Sequence, residues 1–479
     1  MSIDVALVEK MVRKVVGEVE GQLDVLEGRS TAVRTPAADD GTGIFDTMDA
    51  AIAAAERAER EYLGCSMADR RRFVQAIRDF VVVPEHLQYM AEEAVRQTGM
   101  GDVAHKVVKN RLAATNCPGV EDLVTDAWSG DDGLTTIEYS PFGVIGAITP
   151  TTNPTETIIC NAIGMLAAGN TVVFSPHPRA RDLSVWLISE LNKVLTKAGA
   201  PRNLLVTVSE PSIENTNAMM AHPAVRMLVA TGGPGIVRTV LSSGKKAIGA
   251  GAGNPPVVVD RTADIVRAAK DIVDGASFDN NLPCTAEKEV IAEECIADLL
   301  KFEMEKVGAF EVQGTETLKK LEELVLNDQR TGPRTEWVGK PAGEILDAIG
   351  VKPPYSCRLI LVETDKDHPF CQHELMMPVL AVVRVPDVDA AIDLAVEVEH
   401  GLRHTAIMHS RDVTKLTKMG RMIQTTIFVK NGPSYAGIGI GGEGYTTFTI
   451  AGPTGEGLTC ARSFARRRRC AMVGELNMR

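Results

Sequence analysis

The sequence predicts an α/β protein built on doubly wound parallel sheets. Three observations carry that expectation. Strand-length apolar runs alternate with helical runs from about residue 44 onward, a pattern that fits parallel sheets covered on both faces. A second region of the same kind begins at NPPVVVD and continues through VLAVVRV and TAIMHS. The length of 479 residues exceeds what one hydrophobic core usually supports, so two or three domains are expected.

The first 45 residues stand apart from this alternation. In IDVALVEKMVRKVVGEVEGQL, Val8, Val12, Val15, Val16 and Val19 recur at helical spacing with charges between them, which predicts an amphipathic helix over residues 1–20. The charges interrupt the apolar stretch that a secretory signal needs. GRSTAVRTPAADDGTG, within residues 21–43, is small, polar and broken by Gly and Pro, and reads as a flexible linker. A helix on a tether either docks on a partner or packs on its own domain.

The elements then follow in order. TMDAAIAAAERAEREYL reads as a helix, SPFGVIGAITP as a strand, ETIICNAIGMLAAGN as a helix and TVVFSP as a strand. DLSVWLISELNKVLTKAG is a further helix, and NLLVTV and VRMLVA are strands. No internal repeat is present, and the sole low-complexity tract is RRRR at 466–469. That run reads as a solvated face or an interface strand before it reads as an anion site.

Composition narrows the function. Hydrophobic content of 44% with 24% charged residues is ordinary for a globular protein, while 4% aromatics leave the core to Ala, Val, Ile, Leu and Met. A net charge of −12 argues against general nucleic-acid binding. No run approaches the length of a membrane-spanning helix. Nine cysteines with neither CxxC pairs nor regular spacing read as reduced thiols in a cytoplasm-like compartment.

Several motifs fail on context. GIGIGG matches the dinucleotide pattern but is followed by EGYTTFTI, which does not open a helix. SSGKK lacks the first glycine of a phosphate-binding loop, and His373-Glu374 has no second histidine four residues on. His400 and His404 are four apart but Gly401 intervenes and no third ligand is evident, so no metal is expected.

Three stretches have better context. In DNNLPCTAEKEV, Cys284 sits between a turn and a run, Thr285-Ala286-Glu287, that reads as the start of a helix. A helix start is electropositive and would acidify the thiol into a nucleophile; the alternative is a small hydrophobe filling a gap. VRMLVATGGPGIVRTVL sets Thr231, Gly232, Gly233 and Gly235 between a strand and a helix, suited to phosphate or simply to a tight turn. In ITPTTNPTETII, Asn153 ends a strand where its amide could serve an oxyanion, or merely shape an Asn-Pro turn.

Together these segments resemble the aldehyde dehydrogenase superfamily from about residue 44 to the C-terminus. DNNLPCTAEKEV, FVKNGPSYAG, GGEGYTTFTIAGPTGEG and SFARRRRC are similar to its CoA-acylating branch, the acetaldehyde and propionaldehyde dehydrogenases of ethanolamine and propanediol utilisation. The resemblance implies two doubly wound domains, an NAD-binding one at 44–250 and a catalytic thiol domain at 251–445. It also implies an oligomerisation hairpin near 123–141 and a C-terminal return at 446–479 that forms an intersubunit sheet with it, in a dimer or tetramer.

Site roles follow from the same resemblance. Cys284 corresponds to the nucleophile, Asn153 to the oxyanion amide and His404 to a proposed base for thiols. Thr151, Ser175, Pro176, His177, Thr231, Gly232, Gly233 and Gly251 are assigned to the nicotinamide cofactor, and Glu374 to its ribose. The resemblance implies a nicotinamide cofactor, NAD in preference to NADP though the sequence leaves the two open, with a small aldehyde and coenzyme A as co-substrate. Hydrolytic relatives carry a general-base glutamate where this chain has AIGAGAGNPP, with Ala250 or a neighbouring glycine at that place. An acyl-cysteine that water attacks slowly survives until a thiol arrives. Ser175 replaces the family's usual ribose-binding lysine. In microcompartment members a short N-terminal helix on a linker directs the enzyme into a protein shell, which residues 1–20 fit. The competing readings are a hydrolytic aldehyde dehydrogenase giving the free acid, and a cargo protein whose role is shell binding.

Overall fold

The computed structural model describes residues 41–476. The amphipathic helix expected at 1–20 and most of the linker lie outside the described residues.

Parallel strands of Val, Ile and Leu build two sheets. The first runs in the order Ile44–Phe45, Leu205–Val208, Thr171–Pro176, Val144–Thr149, Val225–Thr231, Lys246–Ala250. The second has seven strands, Ala309–Glu311, Leu359–Glu363, Val379–Val385, Glu289–Glu293, Pro256–Val259, Thr405–His409 and Ile427–Lys430. Every pairing in both is parallel, as helical crossovers require. The central strands Val144–Thr149, Thr171–Pro176 and Glu289–Glu293 are buried at every residue, which is why polar alternation is missing from most of them.

Helix starts are marked chemically. Ser66, Asp102, Ser212, Asp387 and Asp412 each accept a backbone N–H of their helix's first turn, worth about 1 kcal/mol apiece. The helix Pro154–Ala167 is buried along its whole length and fills the space behind the first sheet. No helix among the described residues is long and apolar enough to cross a membrane. All nine cysteines are free thiols.

A third, antiparallel sheet joins Asp126–Gly130, Gly133–Pro141 and Ala465–Val473. The arginine tract runs along its outer strand, with Arg467 opposite Tyr139 and Arg468 opposite Glu138. All three strands pair within one chain, whereas the resemblance implied a sheet shared between subunits.

One local expectation fails. Thr285-Ala286-Glu287 does not open a helix: residues 282–288 form an irregular turn that enters the strand Glu289–Glu293. That strand lies between Pro256–Val259 and Val379–Val385, so sheet pairing outweighs the helical preference of Ala, Glu and Lys.

Candidate active site

A cavity of about 530 Å³ opens at the carboxyl ends of the first sheet's strands. Val144–Thr149 has its sequential successor Thr171–Pro176 on one side and Val225–Thr231 on the other, so the crevice lies where the winding reverses. Ligands bind there in open α/β sheets. Thr151, Asn153, Ser175, Pro176 and His177 line the cavity, with Thr231, Gly232, Gly233 and Gly251 opposite. Cys284, Glu374, Leu282, Met376 and Phe448 close it from the other sheet's side. Of the expected site residues only His404 does not line it.

Asn153 is the N-cap of Pro154–Ala167, yet its side chain makes no cap hydrogen bond. The buried Lys109 ammonium donates to Asn153 Oδ1 at 2.5 Å instead. With its oxygen occupied, the amide must present its N–H side elsewhere. One hydrogen meets Thr152 Oγ1 at 3.3 Å, and the residue borders the cavity.

Lys109 belongs to a charge cluster that the sequence did not reveal. Lys109 Nζ lies 2.5 Å from Asp279 and 3.1 Å from Glu156, and Lys106 Nζ lies 3.2 Å from Asp279, all essentially inaccessible to water. Burial pulls Lys109 down, but the Asp279 and Glu156 carboxylates outweigh it and hold the ammonium charged. Asp279 likewise stays ionised against its burial through Lys106 and Lys109. Its other oxygen accepts the Asp102 N–H at 2.8 Å, tying the helix Val103–Asn116 to the thiol's segment.

Asp279, Asn280 and Asn281 all adopt left-handed backbone, with φ of 50°, 53° and 64°. Asp and Asn tolerate that region better than other side chains. Asn281 fixes the turn by donating to the Ala276 and Glu287 carbonyls at 2.8 and 2.9 Å. The turn delivers Cys284 to the cavity wall. Without a helix start beneath it, the thiol is not acidified in this state: burial first, and Glu374 second, push it up to about 12, while Lys288 opposes them.

His404 is buried behind the thiol's backbone. Its Nδ1 pairs with Thr405 Oγ1 at 2.9 Å, and Nε2 has no partner. Burial, with Lys288 adding to it, pushes the ring down to about 4, so it stays neutral at ordinary pH. Gly253 separates the two groups: a Cβ there would lie 2.8 Å from the Cys284 carbonyl oxygen and 2.9 Å from His404 Cγ. Sequence reasoning missed Gly253, Lys109 and Lys288, whose roles depend on chain segments far from them.

The glycine-lined wall fits a dinucleotide. A Cβ on Gly233 or Gly251 would meet nothing within 4 Å, so neither glycine is demanded by packing against the protein itself. Gly233 also caps the helix Pro234–Leu241, whose unpaired N–H groups face a phosphate favourably. At the far end Ser175 Oγ pairs with Thr216 Oγ1 at 2.7 Å. Glu374 is the one carboxylate among the lining residues, and no lysine or arginine is among them. Ala250 and Gly251, from the stretch where the resemblance gives hydrolytic relatives a general-base glutamate, line the cavity and bring no carboxylate. No group of His, Cys, Asp and Glu among the described residues could hold a metal ion.

Residues 42–448 match the model of the aldehyde dehydrogenase family. The chain is 49% identical over 454 residues to the CoA-propanoylating propanal dehydrogenase of Salmonella typhimurium, covering 95% of this chain and 97% of that one. Among solved structures it is similar to a propionaldehyde dehydrogenase of Rhodopseudomonas palustris with bound CoA and an acylated cysteine. That match has a TM-score of 0.90 and 66% identity, over 91% of this chain and all of that one. A propionaldehyde dehydrogenase from the fucose utilisation microcompartment of Clostridium phytofermentans matches with a TM-score of 0.89 and 50% identity, over 91% of this chain and all of that one.

Proposed function

The chain belongs to the aldehyde dehydrogenase family, and on that premise we infer that it is a CoA-acylating enzyme: it oxidises a short-chain aldehyde, propionaldehyde or acetaldehyde, and delivers the acyl group to coenzyme A. The observation that carries the acylating step is the cavity lining itself. A cysteine and an amide donor share the wall, Ala250 and Gly251 bring no carboxylate to it, and its one carboxylate, Glu374, faces the Lys288 ammonium at 3.7 Å.

Cys284 Sγ attacks the aldehyde carbon, its proton passes to a base, and a thiohemiacetal forms. The Asn153 amide, oriented by Lys109, and the Cys284 backbone N–H hold the oxyanion. A nicotinamide held by the glycine-lined wall would supply the hydride acceptor for oxidation to the thioester level. Splitting the oxidation from acyl transfer turns one hard step into two easier ones. The CoA thiolate then attacks the thioester carbonyl and the Cys284 thiolate leaves. His404, buried with Nε2 unpaired, would take the thiol proton only once a bound ligand raises its basicity, because burial and Lys288 hold the ring down to about 4.

Thr151, Ser175, Pro176, His177, Thr231, Gly232, Gly233 and Gly251 would cradle the cofactor, with Glu374 accepting from its nicotinamide ribose. We take that cofactor to be NAD. The lining supplies no cation for an extra phosphate, and burial, then Arg179, push His177 down so that it stays neutral. Residues 1–20 would address the enzyme to a microcompartment shell, and the exposed edge strands of the small sheet would join copies into a dimer or tetramer. The similarity to a microcompartment enzyme supports the first of these.

NADH formation from propionaldehyde, with and without CoA, tests the reading in wild type and Cys284→Ala. Turnover should require CoA and vanish in the variant. Equal turnover without CoA would make the enzyme hydrolytic, and activity in the variant would remove Cys284 as nucleophile.

A further inference from the structure

Three charged side chains follow the thiol in sequence, and all are buried: Glu287, Lys288 and Glu289. Glu287 is used by the Ser434 N–H and hydroxyl, both at 2.7 Å. Burial pushes the Glu289 carboxyl well up, so it stays neutral. Lys288 is different. Its Nζ donates to Asn281 Oδ1 at 2.6 Å and to the Asn281 carbonyl at 3.1 Å, and it lies 3.5 Å from the Pro283 carbonyl. Those acceptors belong to the turn that carries Cys284. On its other side Nζ lies 3.7 Å from Glu374 Oε1, an oxygen with no hydrogen-bond partner at the cavity wall.

Burying an ammonium is costly, and a neutral amide could tie the same turn together. Burial pulls the Lys288 ammonium down, and Glu374 first, then Cys284, Glu287 and Glu289, work against it, so its charge is tied to the thiol and to Glu374. We propose that Lys288 is a positioning residue that sets the acidity of Cys284, gripping its turn through Asn281 and Pro283 while neutralising Glu374. The proposal rests on Cys284 being the nucleophile. The groups facing Lys288 are Cys284, Glu287 and Glu289 from its own segment, Glu374 across the cavity wall, and the His404 ring, which Lys288 pushes down. Those facing Cys284 are Glu374, Lys288 and Lys109 of the helix Val103–Asn116. Of these, Glu374 raises the thiol, and Lys288 is the largest electrostatic influence that lowers it. A ligand hydroxyl that occupies Glu374 would leave the ammonium to the thiolate.

The test is the pH dependence of iodoacetamide alkylation at Cys284, read by peptide mass spectrometry on the full chain. Lys288→Gln keeps a hydrogen-bond donor for the turn but removes the charge. It should raise the alkylation midpoint by about one pH unit, a roughly tenfold loss of rate below that midpoint. Lys288→Arg should stay near wild type, and Glu374→Gln should move the midpoint down. An unmoved midpoint in Lys288→Gln, or an upward move in Glu374→Gln, overturns the proposal. Should Lys288→Gln fail to fold, the Glu374→Gln midpoint still decides the matter. Failure of the nucleophile reading looks different: aldehyde turnover would then persist in Cys284→Ala.

Discussion

Lys109 Nζ meets Asn153 Oδ1 at 2.5 Å while paired with both Asp279 and Glu156, so a buried ammonium fixes which way the amide faces. Removing the amide should therefore cost chemistry rather than binding. Asn153→Ala is expected to lower kcat by roughly 10²–10³, the scale for one oxyanion donor, with CoA affinity little changed. Steady-state kinetics with calorimetric CoA binding checks this.

Removing the lysine should cost stability as well as chemistry. Lys109→Met leaves Asp279 and Glu156 facing each other without their shared cation, a loss of about 3–5 kcal/mol for breaking a buried pair. Urea denaturation should show a large drop in midpoint, and whatever folds should be catalytically poor because Asn153 has lost its orientation.

Gly253 has no room for a side chain. With contacts of 2.8 and 2.9 Å awaiting a Cβ, Gly253→Ala must displace either the Cys284 carbonyl or the His404 ring. Overpacking of this kind costs about 1–3 kcal/mol. The thermal midpoint should fall by several degrees and turnover should fall with it.

His404→Ala should separate the two halves of the reaction. If the ring serves the incoming CoA thiol, a burst of NADH from acyl-enzyme formation persists without CoA while CoA-dependent turnover drops about 10²-fold or more. Rapid-mixing absorbance at the NADH band reads both phases. An equal loss in burst and turnover would move His404 to the Cys284 proton in the first step, and no loss in either would reduce it to a packing residue.

Glu287 makes stability depend on pH. Burial pushes its carboxyl from 4.5 up to about 7, so between those values the folded chain holds a proton that the unfolded chain has released. Stability is then lost as pH rises through that window, by roughly 3 kcal/mol at most. Glu287→Gln should flatten this part of the profile, seen as a smaller difference between urea midpoints at the two ends of the window.

Much of the frame is legible in the sequence because apolar strand runs report burial directly. TVVFSP and VLAVVRV coincide with Thr171–Pro176 and Val379–Val385 residue for residue. The turn around the thiol was misread because TAEKE consists of good helix formers, and no local rule says that its charges will be buried. Only the paired environment of Glu287 and Lys288 reveals that. Lys106 and Lys109 in HKVVKNR carry no local mark of burial, since their partner Asp279 is supplied by a distant segment. The DNN triplet did carry a signal for left-handed backbone, through the tolerance of Asp and Asn for that region.

The Asp279 carboxylate joins groups that are 173 and 177 positions away along the chain. Contacts of such separation form late, because the intervening loop must close before they repay its entropy. Refolding from denaturant should thus restore helical circular dichroism before it restores aldehyde oxidation. The thiol's reactivity becomes a clock for the last stage of assembly, and a chain halted short of that stage carries secondary structure but no working catalyst.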